Sequence, residues 1–210
     1  MSWIDISQPF TKDVGHWPGD VPFSYELSLT KEQTGSVNIG KITTSLHTGT
    51  HVDAPFHFDN DGETIDKLPL DSFIGKALVI DVSETDFITS NDFEHISFGS
   101  FDQILLKTSL PNQPKRFPKE VPLLDHNIAP FLKEKEIKLI GVDIPSVDKL
   151  TSKQLETHHA LHKQGIMILE NIMLDDVDPG LYKLIALPLR IVGADGSPVR
   201  AVIRKIKEDE

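Results

Sequence analysis

A short run of metal-ligand side chains, residues 47–57, is the strongest constraint on how this chain can fold. Three histidines and one aspartate fall within these eleven residues. Imidazole nitrogen binds zinc-like ions, and a carboxylate offers hard oxygens that can bridge two ions. Because this run must be completed by ligands from elsewhere in the chain, it favours a fold that brings two distant segments together around a divalent metal.

The composition of this run favours an extended strand or a tight turn over a helix. Gly49 and Pro55 disfavour a regular helix, and Thr48, Thr50 and Val52 are β-branched. Odd-numbered residues of a strand share one face, and Gly49 leaves space between the first two histidines. The ligand residues on that face are His47, His51, Asp53 and His57. Lone histidines are often surface or satisfied core residues, but four ligands on one face favour a metal site.

The best source of partner ligands is a histidine-rich segment followed by an apolar strand with an acid near its end. Thr151 or Ser152 could cap a helix that runs to about residue 163 and contains His158, His159 and His162. His158 and His162 are four residues apart, so either could face the site, and the residues alone leave the three histidines unresolved. Residues 166–171 form the strand.

The acid on that strand is Glu170. A charged residue at the end of an apolar run should be paired or ligated if it is buried. The alternative is that Glu170 marks the exposed end of the strand.

Strand patterns outnumber helical patterns along the rest of the chain. Residues 77–82, 103–107 and 138–143 read as buried strands, and residues 127–135 read as a helix. Near the end, residues 184–192 and 199–206 read as strands joined by a hairpin turn at Asp195 and Gly196. The pattern predicts one mixed α/β domain over residues 1–210, with a β-barrel-like central sheet and a few flanking helices.

Charge and composition argue against several classes of partner. The formal net charge is −11, which disfavours nucleic acid and anionic membranes. There is no cysteine, so disulfides, thiolate ligands and cysteine nucleophiles are excluded. The first residues show no signal-peptide pattern, and no apolar run approaches the length of a membrane span. These features predict a cytoplasmic protein.

The spacing His47-x-Gly49-Thr50-His51-x-Asp53-Ala54-Pro55-x-His57 resembles the signature of the cyclase-like metal-dependent hydrolases. That family includes bacterial kynurenine formamidases and isatin hydrolases. The similarity extends across most of the chain and includes residues 5–9, 17–20, 141–148, 168–171 and 194–201. The whole-chain pattern is most similar to the formamidases.

The resemblance implies a centre of two divalent metal ions, usually zinc. His47, His51 and Asp53 match the first ligands, with Asp53 as the bridge. His158 and Glu170 match the later ligands, since the family places this histidine twelve residues before the glutamate. The family fold is a mixed α/β structure around a β-barrel-like core, and a homodimer is expected.

The resemblance also implies roles in the reaction, which is hydrolysis of N-formyl-L-kynurenine to L-kynurenine and formate in tryptophan degradation. His57 matches the acid/base residue, and Trp17 matches a substrate-contacting aromatic position. His57 could instead be a further metal ligand, and Trp17 could be a core residue. Asp143 and Asp148 could orient ligands or could be strand-end and turn residues, and neither is included in the predicted site.

Other functions stay open at this stage. A relative acting on another small amide or lactam would show the same metal motif. A non-catalytic metal-binding protein would need ligands but no base beyond them. A serine hydrolase is disfavoured because the chain has no Gly-x-Ser-x-Gly motif.

Overall fold

A curled sheet of nine strands is the framework of the computed structural model, which describes residues 2–206. The strands of the described chain are β1 (Ile4–Asp5), β2 (Ser24–Leu29), β3 (Ile39–Thr43), β4 (His51–Asp53), β5 (Ile74–Asp81), β6 (Phe87–Ile88), β7 (Gln103–Lys107), β8 (Leu123–Leu124), β9 (Leu139–Val142), β10 (Met167–Glu170), β11 (Gly180–Ile185), β12 (Gly196–Pro198) and β13 (Val202–Lys205). The α-helices are α1 (Lys31–Thr34), α2 (Ile128–Glu134) and α3 (Glu156–Lys163). Short 3₁₀ helices lie at Pro55–His57, Ile65–Lys67, Leu70–Ser72 and Ser90–Phe93.

The order of the large sheet is β1-β13-β11-β5-β7-β9-β10-β4-β12. The four middle strands β5, β7, β9 and β10 are parallel, and the outer strands on both sides are antiparallel to their neighbours. This arrangement confirms the predicted mixed α/β class with a curled sheet. The sheet is a half-barrel, because β1 and β12 remain two separate edges.

The middle strands are buried on both faces, as expected for parallel strands. Leu105 packs in one hydrophobic core together with residues of β11 and β13. Its neighbours Ile104 and Leu106 point to the other face and pack in a second core with α2 and α3. Because these strands run parallel, their carboxyl ends lie at one edge of the sheet, where residues 143 and 171 follow β9 and β10.

A separate two-stranded ribbon is formed by β2 and β3, which pair only with each other. Every residue of both strands is exposed. Its exposed apolar side chains include Tyr25, Leu27 and Ile42.

Within residues 2–206, no helix combines the length and the apolar character that crossing a membrane requires.

Residues 47–57, predicted as an extended strand or a tight turn, contain both, and the predicted placement of all four ligand residues on one strand face is wrong. Only His51–Asp53 is a strand, and residues 46–50 form a turn with Gly49 at φ +66°. Pro55 then begins a 3₁₀ helix that ends at His57. Glycine favours this left-handed turn, and proline fits the first position of a helix.

The predicted C-terminal hairpin, with its turn at Asp195 and Gly196, is also wrong. Strand β11 ends at Ile185, and the residues that follow it, which include Pro188, are irregular. Gly196–Pro198 forms β12 and pairs with β4, so Asp195 does not lie in a hairpin turn. Strands β11 and β13 are antiparallel neighbours as predicted, but the chain between them forms β12 at the far edge of the sheet.

A buried carboxyl group lies at the end of β9. Asp143 accepts hydrogen bonds from the backbone amide and the hydroxyl of Thr108, at 2.9 Å and 2.7 Å. Burial raises the pKa of Asp143 to about 7, although these hydrogen bonds favour its charged form. The folded protein therefore holds the carboxyl proton of Asp143 more tightly than the unfolded chain does.

Substitution Asp143→Asn should remove a pH-dependent loss of stability. Because the folded-state pKa lies above the unfolded value, the free energy of unfolding of the wild type falls as the pH rises between the two. Relative to the variant, the wild type should lose ~2–3 kcal/mol between about pH 5 and about pH 8. Urea unfolding of both proteins at these two pH values measures the difference, and a pH-independent difference would contradict the prediction.

Candidate metal centre

The pairing of β4 with β10 sets the geometry of a buried polar cluster. His51 on β4 lies directly opposite Glu170 on β10 in the antiparallel register. Asp53 is two residues beyond His51, so its side chain lies on the same face. All three residues are buried. The sheet therefore brings together an imidazole and two carboxylates from the two halves of the chain.

Two histidines present the same ring nitrogen to these carboxylates. His51 Nδ1 lies 2.8 Å from the carbonyl oxygen of Gly49, and its Nε2 lies 3.3 Å from Asp53 Oδ1 and 3.5 Å from Glu170 Oε2. His158 Nε2 lies 3.4 Å from Asp53 Oδ2 and 3.6 Å from Glu170 Oε1. A proton held on Nδ1 leaves the Nε2 lone pair directed into the cluster.

His158 is oriented by Asp148. The carboxylate of Asp148 lies 2.6 Å from His158 Nδ1. It also accepts hydrogen bonds from the backbone amides of Thr157 and His158, each at 3.0 Å. Because Asp148 satisfies the first amides of α3, it acts as the cap of this helix from outside the helix. The prediction that Thr151 or Ser152 caps the helix is therefore wrong.

His47 lies on the turn before β4 and bridges two acids. Its Nδ1 is 3.0 Å from Asp53 Oδ1, and its Nε2 is 2.9 Å from Asp195 Oδ2. Gly196 leaves room for this ring, because a Cβ at that position would lie 2.9 Å from His47 Cε1. Burial opposes a charged His47, but the hydrogen bonds to Asp195 and Asp53 outweigh it and raise its pKa to about 10.

The two buried carboxylates have opposite pKa shifts. Burial would raise the pKa of Asp53, but the imidazoles of His158, His47 and His51 hold it well below its ordinary value. Burial and the charge of Asp53 raise the pKa of Glu170 well above its ordinary value. The raised pKa of Glu170 means that a second negative charge at this site needs a cation beside it.

The donor set fits a divalent metal. Asp53 Oδ2 is buried and accepts no hydrogen bond within residues 2–206. One ligand atom each from Asp53, His158 and Glu170 lies within 4.8 Å of the others, and the same holds for His47, His51 and Asp53. Asp53 belongs to both groups. Imidazole and carboxylate are the ligands that zinc accepts, so the cluster has the chemistry for two ions that share Asp53.

His57 lies beside this cluster and is more exposed than its other residues. Its ring centroid is 3.8 Å from that of His47, and its Nδ1 is 3.6 Å from Asp195 Oδ2. Burial and the neighbouring His47 lower the pKa of His57. A neutral imidazole in this position can accept a proton from a group bound next to the cluster.

A cavity of about 520 Å³ opens over the cluster. His57, His158 and Glu170 line its floor, and Trp17 lies on its wall. The indole of Trp17 contacts the ring of Phe117 edge-on, with 5.2 Å between the ring centroids. Trp17 is 39% exposed, so it is a wall residue and not a core residue.

The structure brings together all six clustered residues predicted from the sequence and places Trp17 on the wall of their cavity. Those six are His47, His51, Asp53, His57, His158 and Glu170. His159 and His162 lie outside the cluster, where their rings contact Phe58.

Two acids that contact the cluster are absent from the predicted site. The sequence allows Asp148 either as a group that orients ligands or as a turn residue, and it predicts a turn at Asp195. The signal for Asp195 was its position in the segment 194–201, which carries part of the resemblance.

Comparison with known proteins identifies close relatives. The profile of the Cyclase family, described as "putative cyclase", matches residues 4–149. A kynurenine formamidase from Bacillus cereus (strain ATCC 10987 / NRS 248) is 55% identical over 204 residues, which cover 97% of this chain and 98% of that protein. The kynurenine formamidase of Bacillus cytotoxicus is 54% identical with the same coverage.

Solved structures share the fold. A potential metal-dependent hydrolase with cyclase activity superposes with a TM-score of 0.84 at 26% identity, covering 98% of both chains. Isatin hydrolase A from Labrenzia aggregata superposes with a TM-score of 0.82, covering 98% of this chain and 94% of the other. Its identity of 24% indicates a shared fold and no more.

Proposed function

Since this chain belongs to the cyclase family, we propose that it is a metal-dependent hydrolase that converts N-formyl-L-kynurenine to L-kynurenine and formate. The observation that carries this proposal is 55% identity over nearly the full length of a kynurenine formamidase. The buried cluster of imidazoles and carboxylates under an open cavity supports it, because amide hydrolysis needs an activated water and a polarised carbonyl group.

The proposed metal ligands are His47, His51, Asp53, His158 and Glu170, holding two divalent ions, with zinc as the metal. Asp53 is the proposed bridge, since Oδ1 faces His47 and His51 while Oδ2 faces His158. When bound, such ions supply Lewis-acid chemistry, which lowers the pKa of water and polarises a carbonyl group.

His57 is the proposed acid/base residue. It lies at the rim of the cluster, where it faces the cavity and can reach a substrate. His57 accepts a proton from the attacking water as the new C–O bond forms, and it returns this proton to the aniline nitrogen as the C–N bond breaks. Water thus supplies one oxygen of formate and one proton of the aryl amine of kynurenine, and the other formate oxygen comes from the formamide carbonyl group.

Trp17 is the proposed contact for the aryl ring of the substrate. Its indole lies across the cavity wall, and its edge-on contact with Phe117 holds it there. A flat aromatic ring is a suitable partner for an indole face.

The first test is hydrolysis of N-formyl-L-kynurenine by zinc-loaded protein and by a sample stripped with a chelator. Formate release should be lost on stripping and should return when zinc is added back, because the proposed reaction needs the bound ions to activate water and to polarise the carbonyl group. Isatin in the same assay tests the alternative of a lactam substrate. No formate release with zinc demonstrably bound would exclude the proposed substrate, and equal rates in both samples would exclude the metal.

Two substitutions separate chemistry from substrate contact. We expect His57→Ala to lower kcat by about 100-fold or more while the zinc content stays at the wild-type level, since a positioned acid/base contributes about 10²–10⁴-fold. In the matched variant Trp17→Ala, KM should rise while zinc content is again unchanged. Steady-state kinetics and elemental analysis measure both. Loss of zinc in His57→Ala would make His57 a ligand, and unchanged kinetics of Trp17→Ala would remove the stacking contact.

A homodimer is the proposed assembly, with the β2–β3 ribbon as its contact. The ribbon pairs with no other strand of residues 2–206, and a lone two-stranded ribbon is marginally stable in water. Tyr25 and Leu27 lie on one face together with Ile42, which is opposite Tyr25 in the register. Exposed apolar patches of this kind mark protein–protein contacts, and a second copy would cover them.

The double substitution Leu27→Glu with Ile42→Glu should convert the dimer to a monomer, because it places two charges in the apolar face. Light scattering after size-exclusion chromatography measures the mass. Ser24→Glu is the matched control, since Ser24 lies on the other face of the same strand. A monomeric wild type, or a dimer that survives the double substitution, would rule out this interface.

A further inference from the structure

A second cavity adjoins the one over the cluster. It has a volume of about 240 Å³, and it shares His47, Phe117 and Pro145 with the wall of the larger cavity. The proposed hydrolysis uses none of the residues that line only this side cavity. The side cavity therefore lies next to the space over the cluster and has its own set of polar groups.

One wall of the side cavity includes a residue in a left-handed conformation. Asn171 follows Glu170 directly and has φ +58°, a conformation that asparagine adopts more readily than most other non-glycine residues. Its Oδ1 lies 3.5 Å from Gln8 Nε2, and its Nδ2 donates no hydrogen bond within residues 2–206. The conformation places an amide donor in the wall of the side cavity, one residue away from the cluster.

Arg116 also lines the side cavity and lies in the loop of residues 111–120. In the described chain, its guanidinium makes no ion pair, whereas the neighbouring Lys115 pairs with Asp13 at 2.9 Å.

The position of this loop is fixed by the segment that carries Trp17. The amide of Gly15 donates to the carbonyl oxygen of Pro114 at 2.7 Å. A Cβ at Gly15 would lie 2.7 Å from the backbone nitrogen of Phe117, so the two segments are in direct backbone contact. The contact between Trp17 and Phe117 lies beside this point, so the proposed aryl site and Arg116 are held in one unit.

We propose that the side cavity binds the α-carboxylate of an amino-acid substrate, with Arg116 as the anchor and Asn171 as a second donor. This inference rests on the proposed function. In N-formylkynurenine the amino-acid chain is ortho to the formamide, so a formamide over the cluster directs this chain sideways along the wall. The guanidinium fork matches a carboxylate with two parallel hydrogen bonds.

The other charged groups of the side cavity are consistent with a zwitterion. Lys119 adds a second cation, and the acids Glu120 and Asp143 also line this space. Arg116 and Lys119 carry positive charge and Glu120 carries negative charge, so both signs are available for the carboxylate and the ammonium of an α-amino acid. Arg116 is the assigned anchor because it directly precedes Phe117, one of the residues that line both cavities.

The test compares two substrates that differ only in the carboxylate. N-formyl-L-kynurenine carries it, and N-formylkynuramine lacks it. In zinc-loaded Arg116→Gln, KM for N-formyl-L-kynurenine should rise about 10- to 100-fold, the size expected for a charge-assisted hydrogen bond, while KM for N-formylkynuramine stays within about twofold of the wild type. Arg116→Lys should fall between the two. Lys115→Gln is the matched control, because it removes a neighbouring cation that does not line the cavity.

The outcomes are distinguishable. Unchanged N-formylkynuramine kinetics in Arg116→Gln show that the variant is folded, so a selective rise in KM supports the carboxylate site. Equal effects on both substrates, no effect on either, or the same selective effect in Lys115→Gln would overturn it. If the wild type hydrolyses neither compound, the proposed function fails and the subsite fails with it.

Discussion

Two buried carboxylates placed side by side are the interaction on which the rest of the site depends. Asp53 and Glu170 are almost fully buried, and their mutual repulsion must be offset by positive charge. The strand register places His51 opposite Glu170, and His158 comes in from α3 to face both acids. The histidines and the proposed metal supply donors or positive charge to this one anionic core, and Asp148 orients His158 toward it.

Sequence reasoning succeeded where the pattern is local. The buried strands in the middle of the sheet were predicted within one to three residues at each end, because long apolar runs in parallel strands leave little ambiguity. The six clustered residues do lie together. However, the argument that His47 and His57 share a strand face with His51 was wrong, since a left-handed turn and a 3₁₀ helix place them there instead.

Sequence reasoning failed where a distant residue decides the local structure. Helix α3 begins at Glu156 and not near Ser152, because the carboxylate of Asp148 caps it from outside. The segment around Asp195 looks like a hairpin turn, but Gly196 pairs with β4 at the sheet edge. Both acids act on a partner in another part of the fold, Asp148 on His158 and Asp195 on His47, so the residues around each acid do not place it in the site.

The cluster and the cavity walls are built from different kinds of structure, and this difference bears on how such a protein can diverge. His51 and Glu170 are fixed by the register of a ladder, in which a one-residue shift turns each side chain to the opposite face. Arg116 and Trp17 lie on loops, where insertions and substitutions are tolerated. Evolution can therefore exchange the substrate while the metal chemistry is inherited intact, and relatives with unlike substrates should differ first in these two loops.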